Sequence, residues 1–270
     1  MCLIVFAWKA HPVYPLVMAA NRDEYFNRPS LPLDYWEELP DVLGGRDVEK
    51  GGSWFATHTD GRWAAVTNFR EGTAASPGWP SRGHLVRNYL ASASRAGDYV
   101  EQMRPPLTDY PGCNLLVADD EALFFVSNRW QGLHRAGARP VEPGVHGLSN
   151  HSLDTPWPKV VRTTQALSRL LQSDLLLAPD RNELATALFG MLADRRPAND
   201  DALPSTGVPH EWERALSAPF IVSDNYGTRA STVVLMDNEG NMSVQERSFA
   251  AAGIEQTHRA FSYRRGQRRH

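Results

Sequence analysis

Apolar positions gather into short runs at both ends of the chain, with longer amphipathic stretches between them. Residues 2–8, rich in Ile, Val, Phe and Trp, suit a buried strand, as do residues 16–20. Two more strand-like runs, 54–58 and 62–69, flank the turn Thr59-Asp60-Gly61, and residues 29–40 read as a proline-spaced loop. A helix is predicted from about Arg82 to Met103, with Leu85, Tyr89, Ala93 and Ala96 on one face and Pro105-Pro106 behind it. Strands follow at 114–118, 122–127 and 144–148, then helices at 157–172 and 181–194. Residues 196–207 read as loop and 210–216 as a short helix. Closing strands are predicted at 220–223, 231–237 and 242–248, the last two joined by Asp237-Asn238-Glu239-Gly240. Strands at both ends with helices between them imply an α+β sandwich on antiparallel sheets, and no strand–helix alternation points to a nucleotide fold.

Composition narrows the function. The 270 residues are 42% apolar and 22% charged, enough for a large core. A net charge of -3 argues against nucleic acid as a partner, and no apolar run reaches the roughly 20 residues of a membrane-spanning helix. No leader is expected: nothing positive precedes the first apolar run and no small-residue cleavage site follows, so cytoplasm is the expected compartment. Apart from Lys9, Lys50 and Lys159 every basic residue is arginine, and Arg264-Arg265-Gly266-Gln267-Arg268-Arg269 closes the chain. The expectation is one domain over residues 1–255 and a solvated basic tail over 256–270.

Two familiar motifs fail. The stretch from Gly44 to Ser53 has glycines and Lys50, but Lys50 precedes its glycine and a strand follows where a phosphate loop needs a helix. Gly147-Leu148-Ser149-Asn150-His151 lacks the second glycine of a serine-hydrolase elbow. Two cysteines build neither a disulfide framework nor a four-sulfur zinc site, and no His-x-x-x-His pair occurs, so no metal is implied.

Cys2 is different in kind from Cys113, which reads as core. If the initiator methionine is trimmed, Cys2 carries a thiol and its own α-amine, whose reference pKa of about 8 lets it act as base. Polar residues stand where strands end: Asn21-Arg22-Asp23-Glu24, Asn68, Ser149-Asn150 and Arg229. Asparagine amides or backbone N–H groups there can bind a developing oxyanion. Arg22 or Arg229 can stabilise a thiolate or a substrate carboxylate, and Asp23 can hold the amine.

Ala20-Asn21-Arg22-Asp23-Glu24 followed by Arg28-Pro29-Ser30 resembles the signature of the NRDE family, the transport and Golgi organisation protein two family. The similarity extends through Met1-Cys2-Leu3-Ile4, Gly51-Gly52-Ser53-Trp54, Thr67-Asn68, Ser81-Arg82-Gly83-His84-Leu85, Gly147-Leu148-Ser149-Asn150, Thr155-Pro156-Trp157-Pro158-Lys159 and Tyr226-Gly227-Thr228-Arg229. It covers nearly the whole chain, departing where Phe55-Ala56 replaces the family's Leu-Gly. The family in turn resembles N-terminal nucleophile hydrolases, which implies a four-layer αββα fold with two antiparallel sheets. By that resemblance Cys2, Arg22, Asp23, Asn68, Asn150 and Arg229 match the catalytic roles in order. It implies an amide or thioester hydrolase that needs no cofactor and acts on a small-molecule acyl substrate. The alternative it implies is a non-catalytic protein that binds or carries haem, acyl-CoA or lipid, with Cys2 as a candidate axial ligand to haem. Arg22 and Asp23 are adjacent here, whereas the hydrolases separate the two, and neighbours in an extended chain point to opposite faces.

Overall fold

Alternation and tight turns dictate most of what forms. The computed structural model describes residues 2–72, 78–103, 106–130, 136–173 and 181–267. In chain order these form β1 (Cys2–Trp8), β2 (Leu16–Tyr25), β3 (Ser30–Trp36), β4 (Leu39–Asp47), β5 (Phe55–His58), β6 (Trp63–Asn68), α1 (Gly83–Ala91), α2 (Ala96–Gln102), β7 (Cys113–Ala118) and β8 (Leu123–Ser127). Then come β9 (Gly137–Pro140), β10 (Gly144–Leu148), α3 (Pro158–Leu171), α4 (Arg181–Leu192), α5 (His210–Ala215), β11 (Tyr226–Met236), β12 (Asn241–Phe249) and β13 (Glu255–Arg264). The contacts divide into two units, one of residues 1–27, 143–149 and 153–262, the other of residues 28–142, 150–152 and 263–270.

The first unit is built on a six-stranded sheet of order β10-β1-β2-β11-β12-β13. On one face Val5, Ala7, Val17 and Ala19 pack with Leu167 of α3 and Leu188 of α4 in a closed apolar cluster. Each buried valine or leucine there is worth about 1.5–3 kcal/mol in removed apolar surface. The second unit holds a seven-stranded sheet, β3-β4-β5-β6-β7-β8-β9, with Ala64, Val66, Leu115 and Val117 packed against Leu85 and Tyr89 of α1 and Tyr99 of α2. The α+β class, with antiparallel sheets and helices against one face of each, is as expected from the sequence.

Four local expectations are corrected. The helix expected over residues 82–103 is two: Ser92 is extended, Arg62 Nη1 bonds the carbonyls of Tyr89 and Ser92 at the end of α1, and Asp119 Oδ2 accepts the Ala96 N–H at the start of α2. Periodicity continued across the break because both helices bury the same face. The expected loop 29–40 contains β3 and the start of β4; Pro32 is tolerated because β3 is an edge strand. Residues 220–223 form no strand, because the Ile221 N–H and carbonyl are taken by the Thr228 side chain and backbone N–H at the start of β11. Finally, the expected tail is mostly β13, in which Thr257, Arg259, Phe261 and Tyr263 alternate with exposed neighbours. Its arginines masked a period-two pattern; residues 268–270 lie outside the described residues.

Candidate functional site

The candidate residues fall into two groups, one on each unit. In the first, β1 pairs with β2 so that Cys2 lies opposite Arg22 and Leu3 opposite Asn21. Leu3 packs on Trp157 and Val160 beside α3, and Asn21 reaches the Leu192 carbonyl at the end of α4, so these two face the helices. Cys2 and Arg22 therefore share the other face, with paired side chains side by side.

Asp23 is turned the opposite way by the same alternation. Its Oδ1 accepts from Thr228 Oγ1 at 2.7 Å, and its carbonyl accepts from the Tyr226 hydroxyl at 3.2 Å. The structure thus separates the adjacent pair: Arg22 stands with Cys2, and the Asp23 carboxylate turns to β11. Asp23 still acts on the sulfur. Burial pushes the Cys2 thiol above its ordinary pKa, and the Asp23 charge adds to that; Arg22 and the Asp23 backbone N–H, which donates to the sulfur, pull it down.

Arg229 enters through a bulge. The register with β2 shifts between Thr228 and Ala230, making Arg229 the inserted residue. Its Nη1 donates to the Tyr25 carbonyl at 2.8 Å, and its guanidinium lies 5.4 Å from the Phe26 ring centroid. Burial and the like charge of Arg22 lower its pKa, against the pull of Glu24. Glu24 Oε2 is 4.0 Å from Arg22 Nη2, so one carboxylate serves two neighbouring arginines. Gly227 makes the approach possible, since a Cβ there would lie 2.8 Å from the Ile221 oxygen and 3.0 Å from the Phe26 ring.

Asn68 and Asn150 form the second group. Asn150 is fully buried, and its Nδ2 donates to the Asn68 carbonyl at 2.9 Å while its own carbonyl accepts the Arg70 N–H at 2.7 Å. Asn114 supports the segment, donating to the His151 carbonyl and to Thr67 Oγ1. Phe69 N–H bonds the Gly112 carbonyl, so the alternation of antiparallel pairs turns the Asn68 N–H away from β7, beyond the reach of β5, whose first residue Phe55 pairs with Ala65. Arg82 Nη1 donates to Asn68 Oδ1 at 2.5 Å. Cys113 is wholly buried, and burial pushes its thiol up to about 12, an inert core residue as expected.

Thr228, Glu24 and Arg82 were not singled out by sequence reasoning. Each stands inside a motif quoted for the family resemblance, so position was the available signal. No group of three His, Cys, Asp or Glu side chains among the described residues could hold a metal ion, and no helix there is long and apolar enough to cross a membrane.

Residues 1–251 match the family model described as Transport and Golgi organisation 2. The protein from Bos taurus called Transport and Golgi organization protein 2 homolog is 32% identical over 267 residues, covering 92% of this chain and 93% of its own. The Drosophila melanogaster protein, Transport and Golgi organization protein 2, is 26% identical with 90% of each chain covered. A mutant conjugated bile acid hydrolase from Clostridium perfringens superposes with a TM-score of 0.52 at 10% identity, over 97% of this chain and 92% of its own. A second variant of that enzyme gives 0.50 at 11% identity over the same shares. This likeness shows the fold, that of the N-terminal nucleophile hydrolases. By sequence, the chain belongs to the Transport and Golgi organisation 2 family.

Proposed function

We propose that this chain is an N-terminal cysteine hydrolase that cleaves an amide or a thioester. The observation that carries the reading is the start of β1: Cys2 stands beside Arg22 on one sheet face and receives the Asp23 N–H on its sulfur. Burial opposes a standing thiolate, so the site needs a base in contact with the thiol rather than a free anion. The Cys2 α-amine, released by removal of residue 1, is that base. Sγ attacks the carbonyl carbon as its proton passes to the amine, and the Asp23 charge favours the ammonium that forms. Asn68 and Asn150 carry in this reading the oxyanion role that the family resemblance gives them. Collapse breaks the C–N or C–S bond, the leaving group takes the proton from the ammonium, and a thioester stays on Cys2. Water, deprotonated by the amine, then releases the acid and restores the thiol.

The test is direct. Protein freed of residue 1, verified by intact mass, is assayed with N-acyl aminocoumarin amides and acyl-CoA thioesters. Hydrolysis with an acid-trapped acyl adduct on Cys2 is expected, and full activity of Cys2→Ala would end the proposal.

The Arg22–Arg229 neighbourhood favours a second reading, binding of an anionic ligand without turnover, because two close guanidiniums gain from a shared carboxylate or phosphate. Titration with haem and with acyl-CoA, against Arg229→Gln, tests it; saturable binding lost in the variant supports it.

A further inference from the structure

Among the described residues the two sheets end on β3, β9, β10 and β13, and the first three carry devices that discourage further pairing. β3 contains Pro32, and its register with β4 shifts twice. β9 has four residues and ends on Pro140; β10 has five, two of them glycine. β13 has none of these. Its ten residues, Glu255–Arg264, include no proline, glycine or lysine. Gln256, His258, Ala260, Ser262 and Arg264 are exposed on one face, while Thr257, Arg259, Phe261 and Tyr263 are half-buried on the other. β12 lies on one side of β13, and no strand among the described residues lies on the other.

We infer that this edge is the contact surface for a second copy of the chain: two β13 strands pair antiparallel about a two-fold axis and join the six-stranded sheets of two copies into one. Such an axis stands normal to the sheet and keeps each face on its own side, so the strand must pair with itself about a single residue. Charge and length choose which. An axis at Arg259 sets two guanidiniums directly opposite each other, which is unfavourable. An axis at Phe261 pairs only residues 258–264 and sets His258 opposite Arg264 of the second copy. An axis at Ala260 pairs residues 256–264 of both copies and sets the small Ala260 against itself. Arg259 then lies opposite Phe261 of the second copy, and the reverse, with Cβ atoms about 5 Å apart, close enough for two cation–π contacts. Ser262 lies opposite His258 of the second copy, and Arg264 opposite Gln256. No like charges meet across this register, and it leaves no open end at β13.

Sedimentation of the parent protein from about 1 to 100 µM is expected to show a dimer that grows with concentration. Ala260→Lys, at an exposed position, keeps the melting temperature but faces two ammonium groups across the axis beside the arginines. It is expected to weaken association about 5- to 10-fold, less so in high salt. Mild oxidation reads the register. Ala260→Cys should form a disulfide-linked dimer, since self-paired residues lie within disulfide reach. Ser262→Cys should not, because its own copy is about 13 Å away along the strands; His258→Cys with Ser262→Cys in one chain should. The parent, with Cys2 and Cys113, is the control. A parent that stays monomeric at the highest concentration overturns the inference. So does a dimer whose strength is unchanged in Ala260→Lys, or one in which Ser262→Cys cross-links as readily as Ala260→Cys.

Discussion

The end of the six-stranded sheet and the asparagine corner of the seven-stranded sheet hold the candidate residues by different means. In the first, strand register does the placing: pairing sets Cys2 beside Arg22, and one bulge brings in Arg229. Its members are ionic or ionisable, and they tune one another through charge. In the second, side-chain bonds to backbone do the placing: Asn150 on the Asn68 carbonyl, Asn114 on the His151 carbonyl, and the backbone contact of Gly52 with Gly83 beside Arg82. Its working groups are neutral amides. The difference teaches where each is fragile. Register is robust to loss of a side chain, so substitutions at the first group should change chemistry and leave the fold. Amide brackets are structure as well as chemistry, so substitutions at the second should cost both.

The sharpest break of that contrast is at the two key residues. Cys2→Ala should lose at least about 10³-fold in kcat, some 4 kcal/mol, with an unchanged melting temperature. Asn150→Ala should lose about 10²-fold in kcat and also melt lower, since the Asn68 carbonyl loses its partner. Steady-state kinetics beside calorimetry on both variants decides. A Cys2→Ala protein that melts several degrees lower, or an Asn150→Ala protein that does not, would erase the distinction.

Each unit also has a buried asparagine with a purely architectural task, Asn21 in the first and Asn128 in the second, and these two should respond alike. Asn21 donates to the carbonyls of Leu192 and Pro219 and accepts from Ser231 Oγ at 2.6 Å. Asn128 donates to the carbonyls of Leu107, Tyr110 and Pro111 and accepts the Cys113 N–H at 2.8 Å. Alanine at either leaves several buried polar groups unpaired, at a cost of about 3 kcal/mol. Urea unfolding should show equal losses within about 1 kcal/mol. A much smaller loss for Asn21→Ala would mean that β2 does not need its tie to the end of α4.

How much of this was legible in the chain differs between the same two regions. Apolar runs announced β1 and β6 almost residue for residue, because buried strands need continuous apolar sequence. The four residues Asn21-Arg22-Asp23-Glu24 looked like a polar strand end, but β2 runs through them to Tyr25. Alternation then gives each a separate duty: Asn21 ties the helices, Arg22 joins Cys2, Asp23 holds Thr228, and Glu24 sits with the arginines. The opposed faces of Arg22 and Asp23 were readable in advance; the bulge at Arg229 was not, because a bulge is a property of two strands together. Arg82 was unreadable for a similar reason. Its reach to Asn68 depends on a glycine crossing between segments thirty residues apart, and local pattern carries no such information. The period-two signal of β13 was present but hidden under arginine.

The smallest expected effect asks whether the seven-stranded unit uses charge at all outside its amide corner. Asp119, in the turn between β7 and β8, accepts the N–H groups of Ala96, Glu121 and Ala122 and faces Arg95 at 3.1 Å. Burial alone would raise its pKa, but the three donors and the arginine outweigh that and hold the carboxyl below its ordinary range. A carboxyl whose folded pKa lies below its unfolded value of about 3.9 stabilises the fold fully above that value and stops doing so as the pH falls through the folded pKa. Asp119→Asn removes this titration. The variant should therefore be less stable than the parent by about 1 kcal/mol at pH 7, and the gap should close as the pH is taken from 4 towards 2. Urea midpoints at pH 7 and at pH 2.5 measure it. A gap that stays constant over that range would mean that the carboxylate charge contributes nothing, and that α2 starts where it does because of hydrogen-bond geometry alone, the same principle that holds Asn68 and Asn150.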